Sequence, residues 1–324
     1  MTFPPARLAF AAVVLCFAPC SLAPIHAAAA KARAGDKASA DAPARVSVPP
    51  GKSFVYKHSG GKPQEMEIYF PPDWDPAKRK VPGVILFHGG GWSGGTLEQF
   101  RHAGNYLASR GLVAATANYR MLARDERGKL PPSESFKRVC ITVAKSAIRW
   151  LKQKAGELGI DPARIITGGG SAGGHIAVLA TLNAGLNDPG DPAGIDTSVV
   201  AYLLFNPAFD AKDRSDREVD VLAHLTAKLP PAILFFGTKD QWKVGSDAAL
   251  ARLAALGNRS AELWLADDQG HSFFNRAPWQ DITLCAADRF LVERGFLQGS
   301  ATLPAPAAGL ELKRAPDAAD MKKP

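Results

Sequence analysis

Between about residue 51 and residue 298, short apolar runs alternate with longer segments that carry apolar residues at helical spacing. The run 84–87 (VILF) is continuous, as expected for a strand that is buried on both faces of a sheet. The segment 136–156 repeats its apolar positions with the period of a helix. Strands that alternate with helices in this way predict an α/β fold, with a mostly parallel central sheet and helices on both faces.

The same pattern gives the approximate bounds of the other elements. The predicted strands are 53–56, 65–70, 84–87, 112–117, 164–168, 198–205, 233–236 and 262–265, and the first two form an antiparallel pair. The predicted helices are 97–110, 136–156, 174–182, 247–256 and 279–294. The connection 206–232 is short and polar, so we expect a small or absent lid and an open site.

Composition predicts four parts along the chain: a signal peptide at 1–30, a disordered leader at 31–50, one folded domain at 51–298 and a low-complexity tail at 299–324. In the first part Arg7 precedes an apolar run, and small residues follow, which is the order of a secretory signal. We therefore expect an exported protein, periplasmic or secreted. The apolar run is too short to span a bilayer, so no stable membrane span is expected after signal removal. A retained anchor is the less favoured alternative, and a lipoprotein attached through Cys16 or Cys20 is weaker still.

Charge and cysteine content narrow the picture further. The 324 residues carry a formal net charge of +8, but no Lys/Arg block lies on one predicted face, so no nucleic-acid partner is expected. Cys140 and Cys285 remain after signal removal. An oxidising compartment permits a disulfide between them. Each also lies on a helical face where cysteine is an ordinary core residue, and unbonded core thiols are the preferred interpretation.

The pentapeptide Gly169-Gly170-Ser171-Ala172-Gly173 lies where the predicted strand 164–168 meets the predicted helix 174–182. A Gly-x-Ser-x-Gly between a strand and a helix is typical of the nucleophile elbow of α/β-hydrolases. The sharp turn strains the serine backbone and leaves its hydroxyl exposed at the end of the strand. Ser171 is therefore the predicted nucleophile.

A serine hydroxyl needs a base to take its proton and an acid to orient that base. Asp240 follows the strand 233–236, and His271 follows the strand 262–265, which is the hydrolase chain order of serine, acid and histidine. These two are the predicted acid and base. The weaker candidates for the base are His175, His224 and His88, and those for the acid are Asp210, Asp267 and Asp268.

The segment His88-Gly89-Gly90-Gly91-Trp92 directly follows the predicted strand 84–87. Acyl transfer builds negative charge on the carbonyl oxygen, and backbone N–H groups fixed in advance stabilise that charge. Three consecutive glycines let the backbone approach a substrate closely, and the N–H of Ala172 at the start of the elbow helix is the second expected donor source. We expect His88 to anchor this loop by hydrogen bonding rather than to transfer protons.

Together these motifs resemble the α/β-hydrolase superfamily, and within it the HGGG-type esterases of the hormone-sensitive-lipase and acetyl-esterase groups. The resemblance runs from about residue 53 to 297 and rests on the segments 88–92, 118–120, 160–162, 169–175, 237–240 and 270–271. It implies that Ser171 is the nucleophile, Asp240 the acid and His271 the base. It also implies an oxyanion hole of Gly89, Gly90 and Ala172, with Gly91 contributing in some relatives. Asn118 stands where relatives have an aspartate in a local salt bridge.

The sequence thus predicts an exported serine esterase that cleaves short-chain carboxylic esters through an acyl-enzyme, without a metal or cofactor. Small esters and acetylated carbohydrates are the expected substrates. A lipase is less favoured because the sequence provides no apolar lid. A serine peptidase of the same fold is one alternative, although the chain leaves no room for a propeller-like second domain. A catalytically silent binding module is the other, and the complete set of serine, acid and base opposes it.

Overall fold

A single mixed sheet runs through the part of the chain that the computed structural model describes, residues 48–304 and 307–316. Its nine strands follow the order β1-β2-β4-β3-β5-β6-β7-β8-β9. In chain order they are β1 (Lys52–Ser59), β2 (Lys62–Tyr69), β3 (Val81–Phe87), β4 (Val113–Ala117), β5 (Ile160–Gly170), β6 (Ala201–Phe205), β7 (Ala232–Gly237), β8 (Ala261–Ala266) and β9 (Leu312–Arg314). From β4 to β8 the neighbours are parallel, whereas β1, β2 and β9 pair antiparallel. The predicted mostly parallel sheet is confirmed.

Helices cover both faces of this sheet. In chain order they are α1 (Arg101–Ser109), α2 (Arg124–Arg127), α3 (Lys137–Gln153), α4 (Ala155–Leu158), α5 (Ala172–Leu182), α6 (Val221–His224), α7 (Lys243–Ala255) and α8 (Trp279–Glu293). On β3, Ile85 and Phe87 belong to the core shared with α3, α5 and α7. Val84 and Leu86 belong to the core shared with α1 and α8. All four side chains are buried, as expected for a central strand that is covered on both sides.

The observed elements differ from the predicted ones mainly at their ends. The predicted helix 97–110 begins as a 3₁₀ turn, Leu97–Phe100, before α1. The predicted helix 136–156 ends at Gln153, and the short helix α4 follows. The connection after β6 forms 3₁₀ turns and α6, which packs against α5 and α7, and this agrees with the small insertion expected there.

The terminal segments are described only in part. The predicted signal peptide and most of the predicted leader lie outside the described residues. In the predicted low-complexity tail, Leu312–Arg314 form β9 and pair with β8. No helix in the described ranges has the length and hydrophobicity needed to cross a bilayer.

Both predicted core cysteines are free thiols. Cys140 is fully buried on α3, and burial raises the pKa of its thiol to about 12. Cys285 is half-buried on α8. The interpretation of the two residues as unbonded thiols is therefore confirmed.

Candidate active site

Ser171 occupies a strained turn between β5 and α5. Its backbone has φ +51° and ψ −117°, a combination that non-glycine residues rarely adopt. The Ser171 N–H donates to the Phe205 carbonyl at 2.9 Å, and its carbonyl accepts from Ala208 N at 2.9 Å. A Cβ on Gly173 would lie 2.0 Å from the Phe87 carbonyl oxygen, so only glycine lets α5 start this close to β3. The neighbouring strands therefore hold the turn in place.

Ser171, His271 and Asp240 form a continuous chain of polar contacts. His271 Nε2 lies 2.8 Å from Ser171 Oγ, and His271 Nδ1 lies 2.8 Å from Asp240 Oδ2. A carboxylate accepts hydrogen bonds, so the proton of the neutral ring resides on Nδ1 and the lone pair of Nε2 faces the serine. The structure thus brings together the three residues that the sequence singled out.

The turn between β7 and α7 fixes the carboxylate of Asp240. Its second oxygen, Oδ1, accepts from Trp242 N at 2.9 Å, and the side chain is fully buried. Both carboxylate oxygens therefore have a partner, which prevents rotation away from the ring. His271 remains 29% exposed, so the site is open to solvent on the histidine side.

The weaker histidine candidates lie elsewhere. His175 is fully buried behind the elbow, and His224 Nε2 donates to the Arg217 carbonyl at the surface. His88 is buried beside the glycine loop, and its Nδ1 donates to the Gly89 carbonyl at 2.7 Å. Burial lowers the pKa of His88, which favours the neutral ring expected of an anchor.

The weaker carboxylate candidates make other contacts. Asp210 accepts from Lys212 N at the start of a 3₁₀ turn. Asp267 and Asp268 are exposed and lie near lysines at the surface. Among the described residues, none of these three hydrogen-bonds to His271, whereas Asp240 does.

The glycine loop after β3 differs from expectation in one donor. The Gly89 N–H donates to Gln99 Oε1 at 2.6 Å, so it is already engaged. Gly90 and Gly91 are exposed, with φ of +120° and +62°, and their N–H groups have no acceptor in the described part of the chain. The Ala172 N–H at the start of α5 likewise has none there. The donors available for a carbonyl oxygen are therefore Gly90, Gly91 and Ala172, rather than Gly89.

Several side chains support this loop from below. The Tyr119 ring stacks on His88 with 4.4 Å between centroids, and its hydroxyl donates to the His88 carbonyl. Asn118 Oδ1 accepts from Leu97 N at 2.9 Å, which anchors the 3₁₀ turn that carries Gln99. Arg120, two residues after Asn118, pairs with Glu126 at 2.7 Å.

A second polar cluster lies behind the loop. Trp92 Nε1 donates to His175 Nδ1 at 3.2 Å, and His175 Nε2 donates to the Val219 carbonyl at 2.9 Å. The ammonium of Lys137 lies 3.7 Å from the centroid of the Trp92 ring and pairs with Asp213 at 2.5 Å. This cluster fixes the tryptophan that ends the glycine loop.

Sequence reasoning missed two residues that contact the site. Gln99 accepts from the loop, and the fully buried Asn206 lies beside the His271 ring. Asn206 directly follows β6, so the rule that located Asp240 at the carboxyl end of a parallel strand also indicates this position. No sequence signal of comparable strength indicates Gln99.

The described residues contain no cluster of three or more His, Cys, Asp or Glu side chains that could hold a metal ion. What the site offers is a serine, a base with an oriented acid, and backbone donors beside the serine. A mostly parallel sheet with these groups at the carboxyl ends of its strands defines the α/β-hydrolase class.

Comparison with known proteins gives the family. A family model described as BD-FAE matches residues 66–203. Carboxylesterase NlhH of Mycobacterium tuberculosis is 32% identical over 244 residues, and the match covers 65% of this chain and 72% of NlhH. Esterase LipQ of the same organism is 29% identical over 160 residues, covering 49% of this chain and 35% of LipQ. The apo form of Thermogutta terrifontis esterase 2 has a TM-score of 0.69 and 34% identity, covering 79% of this chain and 98% of that structure.

The chain belongs to the α/β-hydrolase carboxylesterases of the hormone-sensitive-lipase type, and it is a carboxylic ester hydrolase.

Proposed function

We propose that this carboxylesterase is a serine esterase that hydrolyses short-chain esters, including acetyl esters of carbohydrates, through an acyl-enzyme. The contacts from Ser171 through His271 to Asp240, each 2.8 Å long, are the observation that carries the proposal. Ser171 is the nucleophile, His271 the general base and Asp240 the acid that orients it. Gly90, Gly91 and Ala172 stabilise the oxyanion.

In the first step the lone pair of His271 Nε2 takes the Ser171 proton while Oγ bonds to the ester carbonyl carbon. The carbonyl oxygen becomes an oxyanion and accepts from the free N–H groups of the loop and of Ala172. When the carbon–oxygen bond to the alcohol breaks, the alcohol leaves with the proton from His271. Water then repeats the sequence on the acyl-enzyme, which releases the acid and restores the serine.

The packing beside the nucleophile supports a short acyl group. A Cβ on Gly170 would lie 2.6 Å from Phe274 Cζ and 3.4 Å from Phe100 Cζ, so aromatic rings already fill the space beside Gly170, the residue before the nucleophile. The similar Thermogutta terrifontis esterase 2 is known with propionate and with butyrate bound. The same esterase is also known phosphonylated by cyclosarin.

Export, which the first 30 residues predict, supports carbohydrate esters as substrates, because it would bring the enzyme to extracellular polysaccharides. It stays a prediction from the sequence. The partly exposed His271 supports the same assignment, since a polymer-borne acetyl group needs an open approach.

The test is hydrolysis of p-nitrophenyl esters from acetate to decanoate by the wild type, Ser171→Ala and Ser215→Ala. Ser215 is an exposed serine on the polar connection and serves as the matched control. We expect Ser171→Ala to lower kcat by about 10⁴-fold or more, and Ser215→Ala to leave it unchanged. A Ser171→Ala protein with the wild-type rate would exclude the serine mechanism.

Substrate choice is tested with the same proteins. We expect the highest kcat/KM on acetate to butyrate and release of acetate from acetylated xylan. A preference for decanoate would contradict the short-chain assignment. Cleavage of an aminoacyl-nitroanilide would favour the peptidase alternative, and no turnover by the wild type would favour a silent binding module.

A further inference from the structure

Asn206 places a buried amide against the imidazole of His271. Its backbone N–H donates to the Phe235 carbonyl at 2.8 Å, and its φ of +41° lies in the left-handed region that Asn, Asp and Gly tolerate best. The side chain is fully buried. Its Nδ2 lies 3.0 Å from Nδ1 and 3.2 Å from Nε2 of His271.

These two distances place the amide over the face of the ring. An atom in the ring plane and nearly equidistant from both nitrogens would collide with Cε1, the carbon between them. The in-plane positions are also taken, because Nδ1–H donates to Asp240 and Nε2 faces Ser171 Oγ. The Asn206 amide group is therefore directed at the π face.

The hydrogen bonding of Asn206 Oδ1 does not explain why Nδ2 contacts the ring. Asn206 Oδ1 is buried and has no hydrogen-bond partner among the described residues, so no bond made by that oxygen sets the orientation. Amide hydrogens carry partial positive charge. The electron-rich face of a neutral imidazole attracts them, whereas an imidazolium repels them.

We propose that Asn206 is a positioning residue that holds the His271 ring between Asp240 and Ser171 and opposes protonation of that ring in the resting enzyme. This inference rests on the proposed serine mechanism, in which His271 must be unprotonated to start a turnover.

Other groups that act on the ring are few. Asp240 contacts Nδ1 and favours the protonated ring, Ser171 contacts Nε2, and the Trp242 ring lies 6.2 Å away between centroids. On the loops that carry Asp240 and His271, Lys239 pairs with Asp268, and Asp267 lies 3.7 Å from Lys313. These surface charges are well exposed and screened by solvent, so the amide is the buried group that opposes Asp240.

The experiment is the pH dependence of kcat/KM for p-nitrophenyl acetate in Asn206→Gly, Asn206→Asp and the wild type. Glycine and aspartate both tolerate the left-handed backbone, so the turn is kept. The acid limb of kcat/KM reports protonation of the base in the free enzyme. We expect Asn206→Gly to move this limb to higher pH by about 0.5 to 1 unit. Asn206→Asp should move it further, because a carboxylate attracts the imidazolium.

Asn187→Gly, at an exposed asparagine that contacts Arg149, controls for the loss of an amide elsewhere and should leave the limb in place. An acid limb that stays unchanged in the Asn206 variants, or that moves to lower pH in Asn206→Gly, overturns the proposal. If Asn206→Gly does not fold, an unchanged limb in Asn206→Asp overturns it equally. These outcomes are distinct from failure of the serine mechanism, which would appear as an active Ser171→Ala protein.

Discussion

His271 and His175 both lie next to the elbow, and the difference between them shows what makes an imidazole reactive. His271 is 29% exposed, and its Nε2 presents a lone pair to Ser171 Oγ. His175 is fully buried, accepts from Trp92 at Nδ1 and donates from Nε2 to a backbone carbonyl. The two rings therefore carry their protons on opposite nitrogens.

The difference lies in the partners and not in the side chain. Nδ1 of His175 accepts from Trp92, and its Nε2 faces both the Val219 carbonyl and, at 3.3 Å, Asp213 Oδ2, so the ring serves as a fixed link. At its two nitrogens, in the plane of the ring, His271 has one fixed partner, Asp240, and one reactive partner, Ser171. A catalytic histidine thus requires one ring nitrogen with a fixed hydrogen-bond partner and a second ring nitrogen that faces the reacting group.

A substitution of Asp240, the fixed partner of His271, is the strongest test of this difference between the two histidines. Asp240→Asn keeps the shape but removes the charge and the preference for the proton on Nδ1. We expect kcat to fall by about 10⁴-fold, with the far-UV circular dichroism unchanged. Asp267→Asn, at an exposed carboxylate on the loop before His271, should retain wild-type kcat. Equal losses in both variants would contradict the assignment of Asp240.

The opposite pattern is expected at His175. His175→Ala removes the acceptor of Trp92 Nε1–H and the donor to the Val219 carbonyl, and it leaves a cavity. We expect the free energy of unfolding to fall by about 2–4 kcal/mol in urea titrations. The loss of kcat/KM should be far smaller than in Asp240→Asn. A stable His175→Ala protein with a loss as large as that of Asp240→Asn would show that His175 takes part in the chemistry.

The smallest expected effect on stability concerns Lys145, which lies on α3 next to the end of α5. It is buried and donates to the carbonyls of Asn183 and Gly185. Burial lowers its pKa from 10.5 to about 8. Between these two pH values the unfolded chain holds the proton and the folded chain does not, so this group makes the protein more stable as pH rises.

The free energy of unfolding of the wild type should therefore gain about 1 kcal/mol over Lys145→Met between pH 8 and pH 10.5. Lys129→Met, at a lysine whose side chain is 78% exposed, is the control and should show no such gain. Urea titrations at the two pH values measure the difference. A constant difference between the wild type and Lys145→Met would contradict the prediction.

Much of the fold and the core of the site could be predicted because each depends on local pattern. Ser171, Asp240 and His271 follow predicted strands, and parallel strands place their carboxyl ends at one edge of the sheet. Asn206 also directly follows a strand, but its contact with the His271 ring, like that of Gln99 with the glycine loop, is made by a side chain across loops and was not predicted. The same limit applies to Gly89, whose N–H donates to the side chain of Gln99, ten residues further on.

The strand β9 escaped prediction for a different reason. Its three residues, Leu312–Arg314, are one half-buried leucine and two exposed cations, which is too short a segment for an alternating pattern to appear. Its position in the sheet depends on pairing with β8 and not on its own sequence.

That pairing protects the edge of the sheet. Along Trp264, Leu265 and Ala266, β8 has β7 on one side and β9 on the other, so this part of the strand does not present an open edge to another chain. The outermost strand is short and presents Lys313 and Arg314, and such charges discourage edge-to-edge association. A chain shortened before residue 312 would lose this protection beside the loop that carries His271. We expect such a chain to self-associate before it loses esterase activity.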